Sequence, residues 1–399
     1  MSQPAFYDAV ILGAGPAGLT AAMTLRQAGW DVLVVEKCAL PRDKVCGGFI
    51  GPENNELIRA FGIEPTMARE AQTIRAIEFT SPAGTRLTFP VTALGKHESG
   101  YGIRRVHLDG ALAAEAERRG IEVLAPGLCQ EISTNATHLR VLRITSQDPG
   151  RIRTITARHV IDARGALASR RHPTRTSGLG FAALFEKLAQ GRDAVQLHFV
   201  PGGHFGINPV GHGLYNICFI VTPALARSFG GSGAKLLRYF MGHNPWIARY
   251  MESAERTSEW KAIAVQKKTR PHFFDGTSFF AGDAVSTVNP IVGGGVSIAL
   301  ACGHLLASLL AAYAPNAVPE ARVASDYAKI WKKNFWMKTK LSGLFAYLGH
   351  HSFWANPVLR GLAANRGLML GIFEWYHSRS TARGMKPSSS PRTEAEVLS

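Results

Sequence analysis

Six residues near the N-terminus carry the clearest chemical signal in this sequence. They lie between a short apolar run at Asp8–Leu12 and a pattern typical of a helix at Leu19–Ala28. In such a glycine turn the first glycine permits a sharp bend, the second lets the backbone approach a pyrophosphate, and the third lets helix and strand pack closely. The helix start then presents amide donors and a positive dipole to the anion. We therefore predict a dinucleotide site contacted by Gly13, Ala14, Gly15, Pro16, Ala17 and Gly18.

An acidic residue stands where the nucleotide ribose is expected. Glu36 ends a second, Val-rich run at Asp31–Val35, 18 residues after Gly18. A carboxylate at this place accepts hydrogen bonds from the ribose hydroxyls and repels a 2′-phosphate, so the context makes the glycine motif a strong signal. We include the neighbouring Lys37 among the predicted contacts.

A second glycine-rich segment occurs far along the chain. Phe279–Ala284 resembles a strand that ends in Gly-Asp, and Asn289–Gly295 resembles a turn that opens another helix. A carboxylate at such a strand end can meet the ribitol chain of a flavin, and the amides of the helix can hold the N1/O2 edge of the isoalloxazine. A simple NAD domain has no use for this second site, so the predicted cofactor is FAD. The predicted contacts are Gly282, Asp283, Pro290, Gly293, Gly294, Gly295 and Val296.

The paired motifs resemble those of the p-hydroxybenzoate-hydroxylase-type flavoproteins, which include aromatic hydroxylases, flavin halogenases and geranylgeranyl reductases. Pro41–Gly48 is similar to the P-x-x-K-x-C-G-G segment of the geranylgeranyl reductase branch. Arg105–Asp109 matches its R-x-x-F-D segment except for Leu at the Phe position, and His204–Asn216 is similar to its substrate-domain segment. There Asn208 departs from the aromatic residue that the branch usually has before the proline. The resemblance covers roughly residues 7 to 310.

The resemblance implies roles for individual residues. In the reductase branch the cysteine that matches Cys46 lies beside the flavin ring at the substrate cavity, and the arginine that matches Arg105 lies along the flavin. Gly47 is a further implied contact. Alkene reduction needs a hydride on one carbon and a proton on its neighbour, and the Cys46 thiol or an ordered water can supply the proton. The alternative is that Cys46 is only small and buried. Lys44 either meets an FAD phosphate or a substrate head group, or is simply solvated.

The resemblance leaves three functions open. Arg164 in Val160–Gly165 stands where the hydroxylase motif has Asp, which weakens a hydroxylase interpretation, and the halogenase W-x-W-x-I-P segment is absent. The leading prediction is a reductase of carbon–carbon double bonds in a long apolar substrate: prenyl, acyl or polyene. One alternative is a monooxygenase that uses O₂ to hydroxylate an aromatic or polyketide-type product. Another is a non-catalytic FAD-binding component of a biosynthetic complex.

The source of electrons is a separate question. Gly178-Leu-Gly180 mimics a second dinucleotide fingerprint, but no strand precedes it and no acidic residue follows at the right place. We interpret it as structural. Without a dedicated NADPH domain, reduction is expected from NAD(P)H that binds transiently, or from a protein donor.

Composition narrows the partners and the compartment. The chain has 45 Lys and Arg against 29 Asp and Glu, a formal charge of +16, which attracts anionic partners. No nucleic-acid-binding motif accompanies this charge, so nucleic acid is not an expected partner. The five cysteines form no CxxC pair, which argues against a disulfide framework or a metal site and fits a reducing, cytoplasmic compartment. The N-terminus carries no signal-peptide pattern.

The elements that must position these residues form an α/β pattern. We predict a Rossmann-like FAD-binding domain from residues 1–75, 101–177 and 271–315. An inserted antiparallel substrate domain takes residues 76–100, a hairpin, and 178–270. A helical C-terminal region, 316–377, holds helices at about Glu320–Leu348 and Pro357–His377, before a disordered tail at 378–399. Val296–Ala314 approaches membrane-spanning length, but we interpret it as a buried core helix.

The segment Tyr327–Lys340 interleaves aromatic residues with lysines. On a helix, Tyr327, Trp331 and Phe335 fall near one face. Such a segment either rests on an anionic bilayer, which would make the protein peripheral to a membrane, or is an ordinary amphipathic helix.

Overall fold

The protein is described by a computed structural model. The described residues are 5–94, 98–145, 152–166, 174–189, 193–268, 271–287, 294–313, 318–350, 352–365, 367 and 371. The prediction for the tail at 378–399 falls outside them. In chain order the strands of the described part are β1 (Ala5–Leu12), β2 (Val32–Val35), β3 (Phe49–Ile50), β4 (Gln72–Ile74), β5 (Ala76–Thr80), β6 (Arg86–Pro90), β7 (Gly100–Gly102), β8 (Glu122–Leu124), β9 (Leu128–Thr134), β10 (Arg140–Thr145), β11 (Ile152–Asp162), β12 (Thr174–Glu186), β13 (Ala194–Val200), β14 (Gly203–Pro209), β15 (Tyr215–Val221), β16 (Glu255–Arg256), β17 (Lys261–Lys268) and β18 (Phe279–Phe280).

Helices surround these strands. In the same part of the chain they are α1 (Pro16–Gln27), α2 (Asn55–Ala60), α3 (Glu64–Glu70), α4 (Arg105–Arg118), α5 (Pro223–Ser228), α6 (Gly233–His243), α7 (Pro245–Met251), α8 (Gly295–Ala312), α9 (Glu320–Trp331), α10 (Met337–His350) and α11 (Ser352–Ala364). A π-helical turn, Lys332–Trp336, joins α9 to α10. Short 3₁₀ turns occur at Pro52–Asn54, Val91–Leu94 and Gly282–Ala284.

The first sheet has the order β8-β2-β1-β11-β10-β9, with β18 paired to β11. The pairs that β1 makes with β2 and β11 are parallel, and so are β2–β8 and β11–β18. Parallel strands in a doubly wound sheet are covered on both faces, which explains the unbroken apolar run at the end of β1. The sheet confirms the predicted Rossmann-like core.

The second sheet has the order β16-β12-β15-β14-β13-β5-β6, with β17 paired to β12. Its core is aromatic: Phe181, Phe205, Phe219 and Phe240 are buried and contact one another in stacked or edge-on pairs. Its pairs are antiparallel except β5–β13, which is parallel because β5 arrives from the distant hairpin. A third, small sheet has the order β3-β7-β4. Its strands occur where the chain passes from the first sheet to the second and back again.

Two features of the predicted substrate region and C-terminus are wrong. The segment between β15 and β16 holds three helices, α5 to α7, inside the range 178–270 for which we predicted only an antiparallel substrate domain. Each is capped by the side chain of the residue before it, Thr222, Ser232 or Asn244. The last helix begins at Ser352 rather than Pro357, because Pro357 lies inside α11.

The apolar helix α8 meets the length and hydropathy criteria for a membrane span, but 72% of that window is buried within the protein. It packs along α1: a Cβ on Gly303 would lie 2.0 Å from the Ala17 carbonyl oxygen. The Thr20 hydroxyl donates to the Leu300 carbonyl across the same contact. These contacts agree with the core-helix interpretation.

Candidate active site

The glycine turn after β1 is shaped by contacts that leave no room for side chains. Gly13 has a φ of +105°, and a Cβ on it would lie 2.7 Å from the Ala163 carbonyl oxygen. A Cβ on Gly18 would lie 1.9 Å from the Gly13 carbonyl oxygen. Gly15 differs, because nothing in the protein lies within 4 Å of the Cβ it would carry. The protein itself needs glycine at 13 and 18, whereas Gly15 leaves open space at the start of α1, as a closely approaching pyrophosphate requires.

Glu36 connects the end of β2 to this turn. One carboxylate oxygen accepts the Ala14 backbone amide at 3.1 Å, and the other accepts the Cys38 amide at 3.1 Å. Only 6% of Glu36 is exposed, while Lys37 beside it points outward. The predicted ribose acceptor therefore lies directly against the predicted pyrophosphate turn.

The second motif meets the first. Gly282 follows β18 with a φ of +63°, and a Cβ on it would lie 2.9 Å from the Ala17 side chain and 3.7 Å from that of Ala299. It is thus wedged between α1 and α8. Asp283 follows it on the exposed side of this junction. The glycine turn at 13–18 and the Gly282–Asp283 turn, which are far apart in sequence, are therefore neighbours in the fold. We call the two turns together the cradle, and a dinucleotide that contacts both motifs requires this arrangement.

The predicted flavin-edge contacts are partly described. Helix α8 begins at Gly295, with Gly294 before it and Val296 buried in its first turn. The first amides of a helix have no partner within it, so this start presents donors near Asp283. Pro290 and Gly293 lie outside the described residues. The glycine turn, Glu36, Asp283 and this helix start are the groups that would hold FAD, and their arrangement fits it.

The Cys46 loop is tied to the second sheet by two asparagines. Asn216 of β15 donates to the Cys46 carbonyl at 2.6 Å, and Asn208 of β14 donates to the Gly47 carbonyl at 2.9 Å. Gly48, at a φ of +74°, closes against the Ile103 carbonyl and donates its amide to the Cys46 sulfur. The loop thus joins the two sheets, and Cys46 lies at that junction.

Behind the loop lies a buried carboxylate with two cations. Asp109 is fully buried and accepts both Nε and Nη2 of Arg105 at 2.8 Å, and Nζ of Lys44 at 2.8 Å. Burial alone lowers the pKa of Arg105, but the charges of Asp109 and Cys46 outweigh it and hold that pKa above its ordinary value. Arg105 therefore stays charged while it faces both Asp109 and Cys46.

A second thiol packs under the same loop. Burial, and then the neighbouring Cys46, raise the pKa of Cys218 to about 12. Its sulfur would be 3.8 Å from a Cβ on Gly47. Cys218 is therefore protonated at neutral pH, and both it and Cys46 are partly buried residues.

A cavity of about 240 Å³ opens between the two sheets at this loop. Its wall combines the Cys46 loop and the start of α4 with residues of the second sheet. The lining residues are Asp43, Lys44, Cys46, Gly48, Ile103, Arg104, Arg105, Ala182, Ala183, Leu184, Val210, Asn216, Ser258 and Lys261. Cations outnumber carboxylates along this wall, so it favours an anionic group beside apolar surface.

Comparisons with known proteins agree with this geometry. A family model described as an FAD binding domain matches residues 7–190. Digeranylgeranylglycerophospholipid reductase 2 of Methanopyrus kandleri is 27% identical over 82% of this chain and 83% of its own length. Menaquinone reductase of Mycobacterium tuberculosis is 26% identical over 78% of each chain. The chain is an FAD-dependent oxidoreductase, and its sequence is similar to that of geranylgeranyl-type reductases.

Solved structures share the fold of this flavoprotein. A geranylgeranyl bacteriochlorophyll reductase-like protein of Thermoplasma acidophilum has a TM-score of 0.70 at 19% identity, covering 99% of this chain and 98% of its own. The myxobacterial chondrochloren halogenase CndH has a TM-score of 0.78 at 19% identity, covering 99% and 95%. The likeness extends to reductases and halogenases together, so it shows the fold and does not select a reaction.

Several residues of this flavoprotein's site were not predicted as site residues. Asp109, Asn208 and Asn216 lie in segments that carry the family resemblance, but none of them was predicted to contact the site. Asn208, which differs from the residue usual at that position, donates to the Gly47 carbonyl. Arg104 and Lys261 carried no signal, because the cavity wall brings them together from different domains. A buried acid four residues after an arginine on a helix was the one available clue to Asp109.

Two further interpretations can be compared with the structure. Gly178 and Gly180 lie inside β12, where a Cβ on Gly178 would be 2.8 Å from the Val221 carbonyl, which confirms their structural role. Arg164 turns back on Asp162, with Nη2 to Oδ2 at 2.6 Å. This pair lies next to Ala163, which contacts the glycine turn.

Proposed function

We propose that this flavoprotein saturates carbon–carbon double bonds in a long apolar substrate of the prenyl-lipid type. The observation that carries the proposal is the position of Cys46, on a loop that lines the cavity between the FAD-binding sheet and the second sheet. The names of the relatives, digeranylgeranylglycerophospholipid reductases and a menaquinone reductase, support the substrate class.

The residues around the cavity suit this reaction. When bound, reduced FAD supplies the hydride for one carbon of the double bond. The Cys46 thiol gives its proton to the neighbouring carbon, so that both new C–H bonds form and the flavin is oxidised. The Arg105 guanidinium, which faces Cys46, stabilises the thiolate that remains until solvent returns the proton. Asp109 positions Arg105 for this role.

The electron donor in this proposal is NAD(P)H that binds transiently, or a reduced protein. Gly178–Gly180 is part of a strand, and the wall that holds Lys44, Arg104 and Lys261 suits the phosphates of a passing nucleotide or of a substrate head group. A prenyl-lipid substrate resides in a bilayer, so contact with a membrane surface would give the protein access to it.

The test is the oxidation of the reduced enzyme by substrate. The FAD-loaded protein is reduced with dithionite under strict anaerobiosis and mixed with a digeranylgeranyl glycerolipid, while flavin absorbance is followed. The proposal predicts rapid reoxidation by this lipid and none by the fully saturated lipid of the same head group. Equal behaviour of the two lipids would refute it.

A further inference from the structure

Large exposed apolar side chains concentrate in one stretch of the chain. The described residues include nine of them, and five lie between positions 336 and 354. We name these five the aromatic face: Trp336, Met337, Tyr347, Phe353 and Trp354. Phe353 is 81% exposed, more than any other in this group. A concentration of this kind marks an interaction surface, whereas single exposed residues are ordinary.

The face differs from the one expected from the sequence. Tyr327, Trp331 and Phe335 are buried in the core with at most 1% exposure, so these three aromatic residues pack inside the protein and do not form a surface. The π-helical turn then changes the register, and Trp336 points outward directly after Phe335 points inward. The burial of these aromatic residues is what the alternative of an ordinary amphipathic helix predicts.

Helical spacing aligns the outer residues. Trp336, Lys340 and Tyr347 recur at intervals that share one side of α10, along about 16 Å. Helix α11 buries Ala355 and Leu359 against the hairpin β5–β6, which leaves Phe353 and Trp354 on the outer side. Both helices therefore carry large exposed apolar side chains, so the exposure is not confined to one isolated residue.

The exposed charges along this stretch of the chain have one sign. No Asp or Glu occurs between Asp326 and Glu374, while Lys332, Lys333 and Lys340 are exposed. The Lys340 ammonium lies 4.7 Å from the centre of the Trp336 ring. Trp and Tyr favour the boundary between lipid and water, and lysines beside them favour anionic head groups.

From this juxtaposition we infer that the aromatic face, with Lys332, Lys333 and Lys340, docks the protein on an anionic lipid bilayer. A second copy of the chain fits less well, because a two-fold contact through this face would bring its lysines against the same lysines. The inference rests on the proposed function for its purpose, since a lipid substrate has to leave a bilayer. Its evidence is the surface itself.

The experiment is sedimentation of the full-length, FAD-loaded protein with vesicles. One set contains phosphatidylglycerol and phosphatidylcholine, and the other contains phosphatidylcholine alone. We expect binding to the anionic set that weakens with salt. The double variant Lys332→Glu/Lys333→Glu should reduce the partition coefficient by on the order of tenfold or more, because each basic residue near an anionic surface contributes substantially to binding. The double variant Phe353→Ser/Trp354→Ser should reduce binding to both sets.

Matched controls separate the surface from general effects. Lys235→Glu/Arg238→Glu makes the same change of charge on exposed residues of α6, and Leu128→Ser/Ile263→Ser removes exposed apolar groups elsewhere. Both should bind as the wild type does. Absence of wild-type binding, or equal losses in the controls, would overturn the inference. A self-association that these face variants abolish without any vesicle binding would assign the face to a second copy instead.

The outcome is independent of the reaction. Vesicle binding without reoxidation of the flavin by unsaturated lipid would refute the proposed function and leave the docking surface standing. Reoxidation by detergent-dispersed lipid without vesicle binding would refute the docking surface and support the proposed function.

Discussion

The cradle for FAD and the Cys46 loop are held in different ways. In the cradle, main-chain atoms at Gly13 and Gly18 and the Ala17 side chain at Gly282 approach so closely that these glycines have no room for a side chain. The loop is held by side chains that reach it from elsewhere, chiefly Asn208 and Asn216 from the second sheet. One region is therefore determined by steric contact and the other by hydrogen bonds. Changes to the loop should consequently alter reactivity while FAD stays bound.

The largest effects should come from substitutions of the glycines, and the two substitutions should have different consequences. Gly18→Val forces a side chain into the Gly13 carbonyl and should prevent folding. Gly15→Val meets only open space, with an ordinary extended φ of −92° at that position, so it should fold and lose FAD. Thermal unfolding and the ratio of flavin to protein absorbance measure the two outcomes. A folded Gly15→Val protein with wild-type flavin content would refute the site.

Asp109→Asn should have the next largest effect, which is a loss of stability. It removes the charge that pairs with Arg105 and Lys44 in a buried position, and breaking such a pair typically lowers the free energy of unfolding by about 3 kcal/mol or more. Denaturant unfolding measures the loss. Glu131→Gln is the matched control, because its partner Arg143 is 3.7 Å away and both side chains are largely exposed. Equal stability of the two variants would contradict the account of the loop.

Cys46→Ala should keep FAD and the fold but slow the oxidation of reduced flavin by substrate by about 100-fold, the usual scale for loss of a general acid. Stopped-flow absorbance checks the rate, and Cys218→Ala serves as the control that removes the neighbouring buried thiol. A Cys46→Ala rate equal to that of the wild type would leave the cysteine a packing residue.

The smallest effect concerns acid stability of the second sheet. His198 is fully buried against Thr80, and burial lowers its pKa to about 3. As pH falls below about 6.5 the unfolded chain takes up a proton that the folded chain refuses, so stability present at neutral pH is lost. Between pH 7 and 5 the loss should be about 2 kcal/mol. The variant His198→Gln should lack this part of the pH dependence in denaturant unfolding, and an unchanged slope would refute the assignment.

The difference between the two regions also explains what could be predicted from the sequence. The β1–α1–β2 unit, the hairpin between β5 and β6 and the core helix α8 followed from local spacing, because backbone geometry dictates which residues a turn accepts. The choice of FAD followed from combining this unit with the distant Gly-Asp segment. The meeting of Gly282 with α1 was inferred only through the chemistry of a shared cofactor. The contact residues of that cofactor remain predictions.

The loop and its surroundings could not be predicted in this way. Asn208, Asn216 and Lys261 act through contacts between distant segments, and no spacing encodes such contacts. Helices α5 to α7 were missed although Thr222-Pro223 and Asn244-Pro245 are typical helix starts. The outward turn of Trp336 depends on a π-helical register change that regular helical spacing does not anticipate.

The central claim is reduction of an alkene at the junction that carries Cys46, and one measurement tests it most directly. The dithionite-reduced enzyme is given one equivalent of digeranylgeranyl lipid without oxygen, and the lipid is then analysed by mass spectrometry. The account predicts a lipid that has gained hydrogen at its double bonds and no oxygen. A lipid that is unchanged without oxygen and becomes hydroxylated in air would contradict it.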